Sequence, residues 1–232
     1  MYARYFKRPL DFILSLAAIL VLSPVLLVLT VVGAVTMGGN PFFVQPRPGK
    51  KDRNGQEKIF RLIKFRSMSN RKDKEGNLLP DDQRLTKYGK FIRSTSLDEL
   101  PELFNILKGD MSIVGPRPQL VRDMVFMTPE QRNRHNVRQG LTGLAQCNGR
   151  NGISWEKKFE YDLLYIDNIT FLGDVKIILK TVKSVFIREG ITEENMATAE
   201  DLGDYLLRIG AVDLQTYQSK LVQASACLKI SV

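Results

Sequence analysis

Apolar and polar positions divide this chain before any motif is considered. No charged residue occurs from Phe12 to Pro46, and Phe12–Met37 is almost wholly apolar. As a straight helix that apolar run reaches about 39 Å, more than the roughly 30 Å hydrocarbon core of a bilayer. Ser23-Pro24 falls near its middle. Proline there removes a backbone donor and strains the preceding turn, so a break or kink is expected. Arg4, Lys7 and Arg8 precede the run, and Arg47, Lys50, Lys51 and Arg53 follow it. Basic flanks favour the cytoplasmic side. A helix that enters the membrane, breaks at Ser23-Pro24 and returns to the same side accounts for length, proline and charge together. A kinked single span is the competing reading. A signal peptide would have a shorter apolar region, and a buried soluble helix is seldom apolar on every face for this length.

Past Pro46 the pattern turns polar. Lys58–Met68 (KIFRLIKFRSM) mixes apolar and basic residues with partial alternation and predicts a strand or short extended element. NRKDKEGN (70–77) predicts a solvated turn, and Ser94–Lys108 a helix closed by Gly109-Asp110. Trp155, Phe159, Leu163 and Ile166 recur at helical spacing and predict a core-facing stripe. Asp174–Arg188 sets Lys176, Lys180 and Lys183 on one side, with Ile178, Leu179, Val182, Val185 and Phe186 over much of the remainder. Such a helix suits either an anionic membrane surface or the protein's own core. LGDYLLRIGAVDLQTYQSKLVQA (202–224) predicts two short amphipathic helices around Gly210. The fold expected is α+β and mainly helical, a monotopic membrane protein with a small cytoplasmic domain and interfacial amphipathic helices. Three regions result: a re-entrant membrane helix (1–40), a cytoplasmic catalytic domain (41–190) and an acidic helical appendage (191–232).

Composition narrows the chemistry. The 232 residues carry 34 Lys+Arg against 25 Asp+Glu, a net charge of +9. Acids outnumber bases beyond residue 188, so the body is more basic than the average, and anionic partners are expected. Two cysteines and one histidine, His135, leave no disulfide scaffold, zinc ribbon or histidine-rich metal site. Hydrophobic residues at 44% argue against both a disordered chain and a polytopic membrane protein.

The segment RSTSLDELPELFNILKGDMSIVGPRP (93–118) concentrates chemistry. Ser96-Leu97-Asp98-Glu99 has capping-box form, and Pro101 suits a first turn, so a helix start near Leu97 or Asp98 is expected. Asp98 and Glu99 would then meet the positive end of the helix dipole. Arg93 lies just upstream, Arg117 is held between Pro116 and Pro118, and Lys64 and Arg66 on the strand-like segment add positive charge. A carboxylate that attacks a phosphate must overcome like-charge repulsion, so it needs such cations and usually Mg²⁺. Two acids with several arginines suit phosphoryl transfer through an aspartyl phosphate. They suit a glycosidase poorly, because neighbouring helix positions diverge by about 100°.

LDELPELFNILKGDMSIVGPRP (97–118), KFRSM (64–68), RPG (47–49) and GLTGLAQCNGRN (140–151) resemble the signatures of small monotopic phosphoglycosyl transferases, the bacterial sugar transferases that start glycans on polyprenol phosphate. MYARYFKRPLDFIL and NGISWEKKFEYDLLYI are similar, within that family, to the bacillosamine-phosphate transferases of bacterial N-linked glycosylation. The resemblance runs to about residue 190. It implies a re-entrant helix broken at Ser23-Pro24 and a ping-pong reaction at the cytoplasmic face of the bacterial inner membrane. Asp98 would attack the β-phosphate of a UDP-sugar, an acetamido-sugar by the nearer resemblance, and release UMP; undecaprenyl phosphate would then take the phosphosugar. Glu99 would support Mg²⁺ with Asp98, while Arg93, Lys64, Arg117 and Arg150 match phosphate- or nucleotide-contacting positions. Gln139, Cys147 and the loop KKDRNGQE (50–57) depart from the family pattern away from the dyad. A docking or homo-oligomerising role is the reading of the appendage. The alternatives are a soluble-substrate phosphohydrolase and a membrane-tethered basic module for anionic lipid or nucleic acid; no nucleic-acid-binding pattern is evident.

Overall fold

The structure, a computed structural model, describes residues 1–149, 152–187 and 200–230. Arg150, the stretch 188–199 and the side chains of Val185 and Phe186 lie outside the described residues. A π-helical turn, Tyr2–Phe6, leads into α1 (Lys7–Met37), which ends at Gly38 in the left-handed conformation. The expected break at Ser23-Pro24 is not an interruption: α1 is one helix with Pro24 inside it. Pro24 has no N–H for the carbonyl of Leu20, but the Ser23 hydroxyl donates to that carbonyl at 2.8 Å. The serine replaces the bond the proline removes, and the helix continues.

One stripe of α1 packs on the rest of the protein along its whole length. Asp11, Ser15, Leu26, Leu29 and Gly33 are buried, and Ala18, Ile19 and Leu22 fill the interval between them. Leu20, Val21, Leu27, Val28 and Val35 on the remaining faces are exposed. Such an apolar surface is unsuited to water.

After α1 comes an antiparallel hairpin, β1 (Phe42–Lys51) and β2 (Glu57–Phe65), with Phe43 opposite Lys64. The 50–57 segment is its tip, where the Asp52 carboxylate accepts the amides of Asn54 and Gln56. The 70–77 turn is organised the same way by Asp73, whose carboxylate accepts the amides of Glu75 and Asn77. Helices α2 (Asp81–Arg84) and α3 (Lys87–Ser94) follow, the latter capped by Thr86. The helix predicted over 94–108 is divided: Ser94 closes α3, Leu97–Glu99 form a 3-10 turn, and α4 begins only at Glu102. Ser96 sits at φ 56°, the described non-glycine residue with positive φ, and makes no side-chain cap bond. An N-cap needs extended backbone, so the capping box cannot form from the left-handed region. Gly109 closes α4 as predicted.

A second, parallel pair, β3 (Met111–Val114) and β4 (Gln139–Thr142), is connected through α5 (Val121–Met124) and a 3-10 segment, Gln131–Asn136. Then come α6 (Leu144–Cys147), α7 (Trp155–Asp167), α8 (Phe171–Ile187), α9 (Leu202–Arg208) and α10 (Leu214–Ile230). Trp155 and Phe159 of the α7 stripe are buried, Leu163 and Ile166 half-buried. Asp162 and Tyr165 share the inner face, bound to Arg134 and Asp174. On α8, Asp174 and Ile177 pack inward while Leu172, Leu179 and Val182 stay exposed beside the lysines. In the core, Leu103 and Ile106 of α4 meet Phe60, Leu62 and Met111, with α1 covering them. A second core joins Val121, Met124, Phe126, Trp155 and Phe159 to Leu202 and Ala224, so α9 and α10 dock on the body around Gly210.

Candidate active site

Four elements deliver the site. Lys64 comes from β2, Arg93 from α3, Asp98 and Glu99 from the 3-10 turn, and Arg117 from the loop after β3. Asn105 holds α4 to β2: its carbonyl oxygen accepts the Ile63 amide at 3.0 Å and its amide donates to the Arg61 carbonyl at 2.7 Å. That lock places Lys64 over the dyad. Lys64 Nζ lies 2.7 Å from Glu99 Oε1 and 3.1 Å from Glu102 Oε1, and Arg117 NH2 lies 2.7 Å from the same Glu99 oxygen. Arg93 donates from Nε to Ser67 Oγ at 2.9 Å. Arg117 reaches the cluster because Gly115 and Gly140 let two loops touch. Gly115 N donates to Thr142 O at 2.9 Å and Gly140 N to Pro116 O at 2.8 Å. A Cβ on Gly140 would fall 2.1 Å from Gly115 N, so only glycine fits.

Burial and charge divide the carboxylates. For Glu99, burial opposes ionisation, but Arg117 and then Lys64 overcome it and hold the group well below the ordinary carboxylate range. For Asp98, burial first and the Glu99 charge second push the carboxyl up to about 6, against Lys64, Arg93 and Arg117. Glu102 is raised to about 7, by burial above all, then by Glu99, with Lys64 opposing. Lys64 is raised, its burial outweighed by Glu99 and Glu102. The result is an ionised anchor, Glu99, that fixes two cations beside a second carboxylate of higher proton affinity. Asp98 makes no hydrogen bond among the described residues, which leaves its oxygens open to a substrate.

The predicted constellation therefore assembles at Lys64, Arg93, Asp98, Glu99 and Arg117. Pro116 and Pro118 bracket Arg117 and restrict its loop. Arg66 bonds through its backbone amide to Pro41 at 2.7 Å; its side chain makes no ion pair to the dyad among the described residues. Arg150 lies outside the described residues.

Sequence reasoning missed Glu102, whose burial at 2% exposure marks it as part of the cluster; its signal was its place three residues beyond Glu99. It also missed the bolts of α1. Asp11 accepts Ser112 Oγ at 2.7 Å and Ile113 N at 3.1 Å. Arg8 donates to the Ile106 and Leu107 carbonyls at the end of α4, and Lys7 pairs with Asp174 at 2.6 Å. The charge pattern along the chain reads Lys7 and Arg8 only as membrane flanks and gives Asp11 no role. The sole histidine, His135, is buried with Nδ1 3.2 Å from Glu57 and stands apart from the dyad. Gln139 is buried and donates to the Arg134 and Val137 carbonyls, while Cys147 rests against Thr142 and Thr181.

Carboxylate oxygens are the donors a hard divalent cation takes, although no cluster of three or more metal-ligating side chains forms among the described residues. Mg²⁺ takes one or two carboxylates and completes its shell with substrate phosphates and water. Asp98, free of hydrogen bonds among the described residues, and Glu99 would hold it.

A family model described as "Bacterial sugar transferase" matches residues 2–188, and the chain belongs to that family. It is 47% identical over 194 residues to the "Uncharacterized sugar transferase EpsL" of Bacillus subtilis, covering 84% of this chain and 94% of that protein. It is 42% identical over 194 residues to the "UDP-glucose:undecaprenyl-phosphate glucose-1-phosphate transferase" of Klebsiella pneumoniae, covering 79% of this chain and 41% of that protein. It is 36% identical over 189 residues to the "UDP-N-acetylgalactosamine-undecaprenyl-phosphate N-acetylgalactosaminephosphotransferase" of Aeromonas hydrophila, covering 78% and 44%. The chain thus spans nearly all of the first relative and less than half of the other two. Helices α9 and α10 lie beyond the residues the family model matches.

Proposed function

We propose that this protein transfers a phosphosugar from a UDP-sugar to undecaprenyl phosphate, releasing UMP, as the first membrane step in building a bacterial glycoconjugate. The observation that carries the reading is the Asp98–Glu99 dyad set among Lys64, Arg93 and Arg117. In the first half-reaction an Asp98 carboxylate oxygen bonds to the β-phosphorus and the bond to the bridging oxygen of UMP breaks. In the second, an oxygen of undecaprenyl phosphate bonds to that phosphorus and Asp98 leaves as a free carboxylate. Lys64 and Arg117, anchored by Glu99, and Arg93 neutralise the phosphate oxygens during each attack. Held by Asp98 and Glu99, Mg²⁺ would supply Lewis-acid charge to the diphosphate. The relatives named for glucose and N-acetylgalactosamine support a UDP-sugar donor; the resemblance to bacillosamine-phosphate transferases favours an acetamido-sugar.

The membrane arrangement follows from α1. Tyr2 and Lys7 at its start bond to α8, and Leu29 and Gly33 near its end pack beside Tyr88 of α3. A helix packed on one soluble body along its length keeps both of its ends on that body's side of the bilayer. That supports a monotopic protein, and the basic flanks of α1 favour the cytoplasmic face of the inner membrane, with the exposed residues of α8 against the headgroups.

The test is incubation of the purified protein with a panel of UDP-sugars, Mg²⁺ and undecaprenyl phosphate. Expected are UMP and a lipid-linked sugar diphosphate, and in the absence of lipid a phosphosugar bound covalently to Asp98. Free sugar phosphate formed without lipid would overturn the transferase reading in favour of a hydrolase. Cysteine labels at Tyr2 and Lys51 should react from one membrane side, and labelling from opposite sides would refute the monotopic arrangement.

A further inference from the structure

The Pro116-Arg117-Pro118 turn presents a mechanical problem. Two of its three residues lack an N–H, so the turn can be held mainly through its carbonyls, by donors from elsewhere. Two guanidinium groups behind the site do this. Arg134 is fully buried, 0% exposed, in the 3-10 segment before β4. Its Nε and NH2 lie 2.9 and 2.7 Å from Asp162 Oδ2, and the same NH2 donates to the Arg117 carbonyl at 2.6 Å. Arg47, half-buried on β1, donates from NH1 to the Pro118 carbonyl at 3.1 Å and from NH2 to Gln45 Oε1 at 2.6 Å. These are consecutive carbonyls. Fixing both fixes the peptide between them, and with it the backbone from which the Arg117 side chain reaches Glu99.

The chemistry is specific to arginine. A planar fork can grip Asp162 and a carbonyl at once, which a lysine ammonium does less rigidly. A fully buried ion pair is also a poor way to add stability, since its desolvation offsets most of the attraction. Here the pair has a second product: it keeps one buried donor aimed at the site loop. Gln139 holds the backbone of the same arginine, its amide 3.2 Å from the Arg134 carbonyl.

We propose that Arg134, held by Asp162, and Arg47 are positioning residues that set Arg117 for the substrate diphosphate. Neither touches the reacting atoms. The inference rests on the reading that Arg117 serves the transfer reaction. A double-mutant cycle tests it, with UMP release (kcat/KM) and thermal unfolding measured on the full-length protein. Arg134→Lys, Asp162→Asn and Arg47→Gln are each made alone and in an Arg117→Ala background. In the wild-type background each lowers kcat/KM about tenfold, and in the Arg117→Ala background by less than about twofold, because the group they position is gone. The same fold-loss in both backgrounds would overturn the proposal and leave these residues a purely structural role. Full activity of Arg117→Ala itself would overturn both this proposal and the use of Arg117 in the reaction. If the buried Arg134 and Asp162 variants fail to fold, Arg47→Gln carries the cycle alone and decides it.

Discussion

Two charge networks in this molecule use the same side-chain types to different ends. Around Glu99, Lys64 and the carboxylates of Glu99 and Glu102 are at most 18% exposed. At the appendage, Arg122 pairs with Asp201 at 3.0 Å and Asp204 at 2.6 Å and meets the Tyr217 hydroxyl, with side chains 17–41% exposed. Water screens the second network, so its pairs contribute little each; the appendage is held mainly by Leu202 and Ala224 in the Trp155–Phe159 core. Water is largely excluded from Lys64, Glu99 and Glu102 in the first, although its Arg117 side chain is 40% exposed. There the same charges change one another's proton affinity, and Asp98 and Glu99 move in opposite directions. Burial is what separates a fastener from a group whose proton affinity its neighbours shift.

That contrast can be broken at several points. Asp98→Asn has the largest expected effect: a loss of UMP release of about a thousandfold or more, with thermal unfolding unchanged. Retained turnover would remove the nucleophile and the transferase chemistry with it.

Next is acid stability, carried by another buried network. Burial, the largest influence, pulls His135 down to about 4 from 6.5 despite its bond to Glu57. The unfolded chain binds this proton first, so the stabilisation is complete above about pH 6.5 and is lost as the pH falls toward 4. Denaturant unfolding at pH 7 and pH 4.5 should differ by about 3 kcal/mol at most from this residue. Glu57, held low chiefly by its His135 and Arg132 hydrogen bonds against burial, adds loss in the same direction at lower pH. His135→Gln should flatten the dependence between pH 6.5 and 4.5; an unchanged slope would assign it elsewhere.

Under the proposed reaction the rate should also fall on acidification, because Asp98 must be ionised to attack. With its carboxyl raised to about 6, UMP release should decline about tenfold per unit below that pH. A rate flat down to pH 5 would contradict the raised affinity.

The smallest effect is expected at the exposed network. Arg122→Ala should cost less than about 1 kcal/mol and leave UMP release unchanged, whereas Leu202→Ala should cost about 2–4 kcal/mol. Limited proteolysis of the appendage reads both. Equal effects would mean that the charges, rather than the apolar contact, hold α9.

Much of the site is legible along the chain. Asp98-Glu99, Arg93 and Pro116-Arg117-Pro118 lie within one segment, and Lys64 sits on an element whose alternation marks it as extended. Glu102 is close to them too, yet its role is invisible, because a glutamate in a helix is ordinarily solvated. Only the packing of α4 on β2 buries it against Lys64. The predicted single helix over 94–108 failed for a related reason. Capping residues are local preferences, and Ser96 is held in a left-handed conformation that no propensity favours.

What the sequence by itself determined is local or compositional: one long apolar segment with basic flanks, a dyad beside arginines, an acidic appendage and the family. What only the tertiary structure decided is who meets whom across the chain. Ser23 repairs the helix at Pro24. Lys7, Arg8 and Asp11 fasten the long apolar helix to the body. Arg134, far from the dyad in sequence, reaches the Arg117 carbonyl, and the appendage covers a core beside α5. A periodicity or a motif reports a residue's neighbours in sequence, whereas proton affinity, loop geometry and burial depend on neighbours in space.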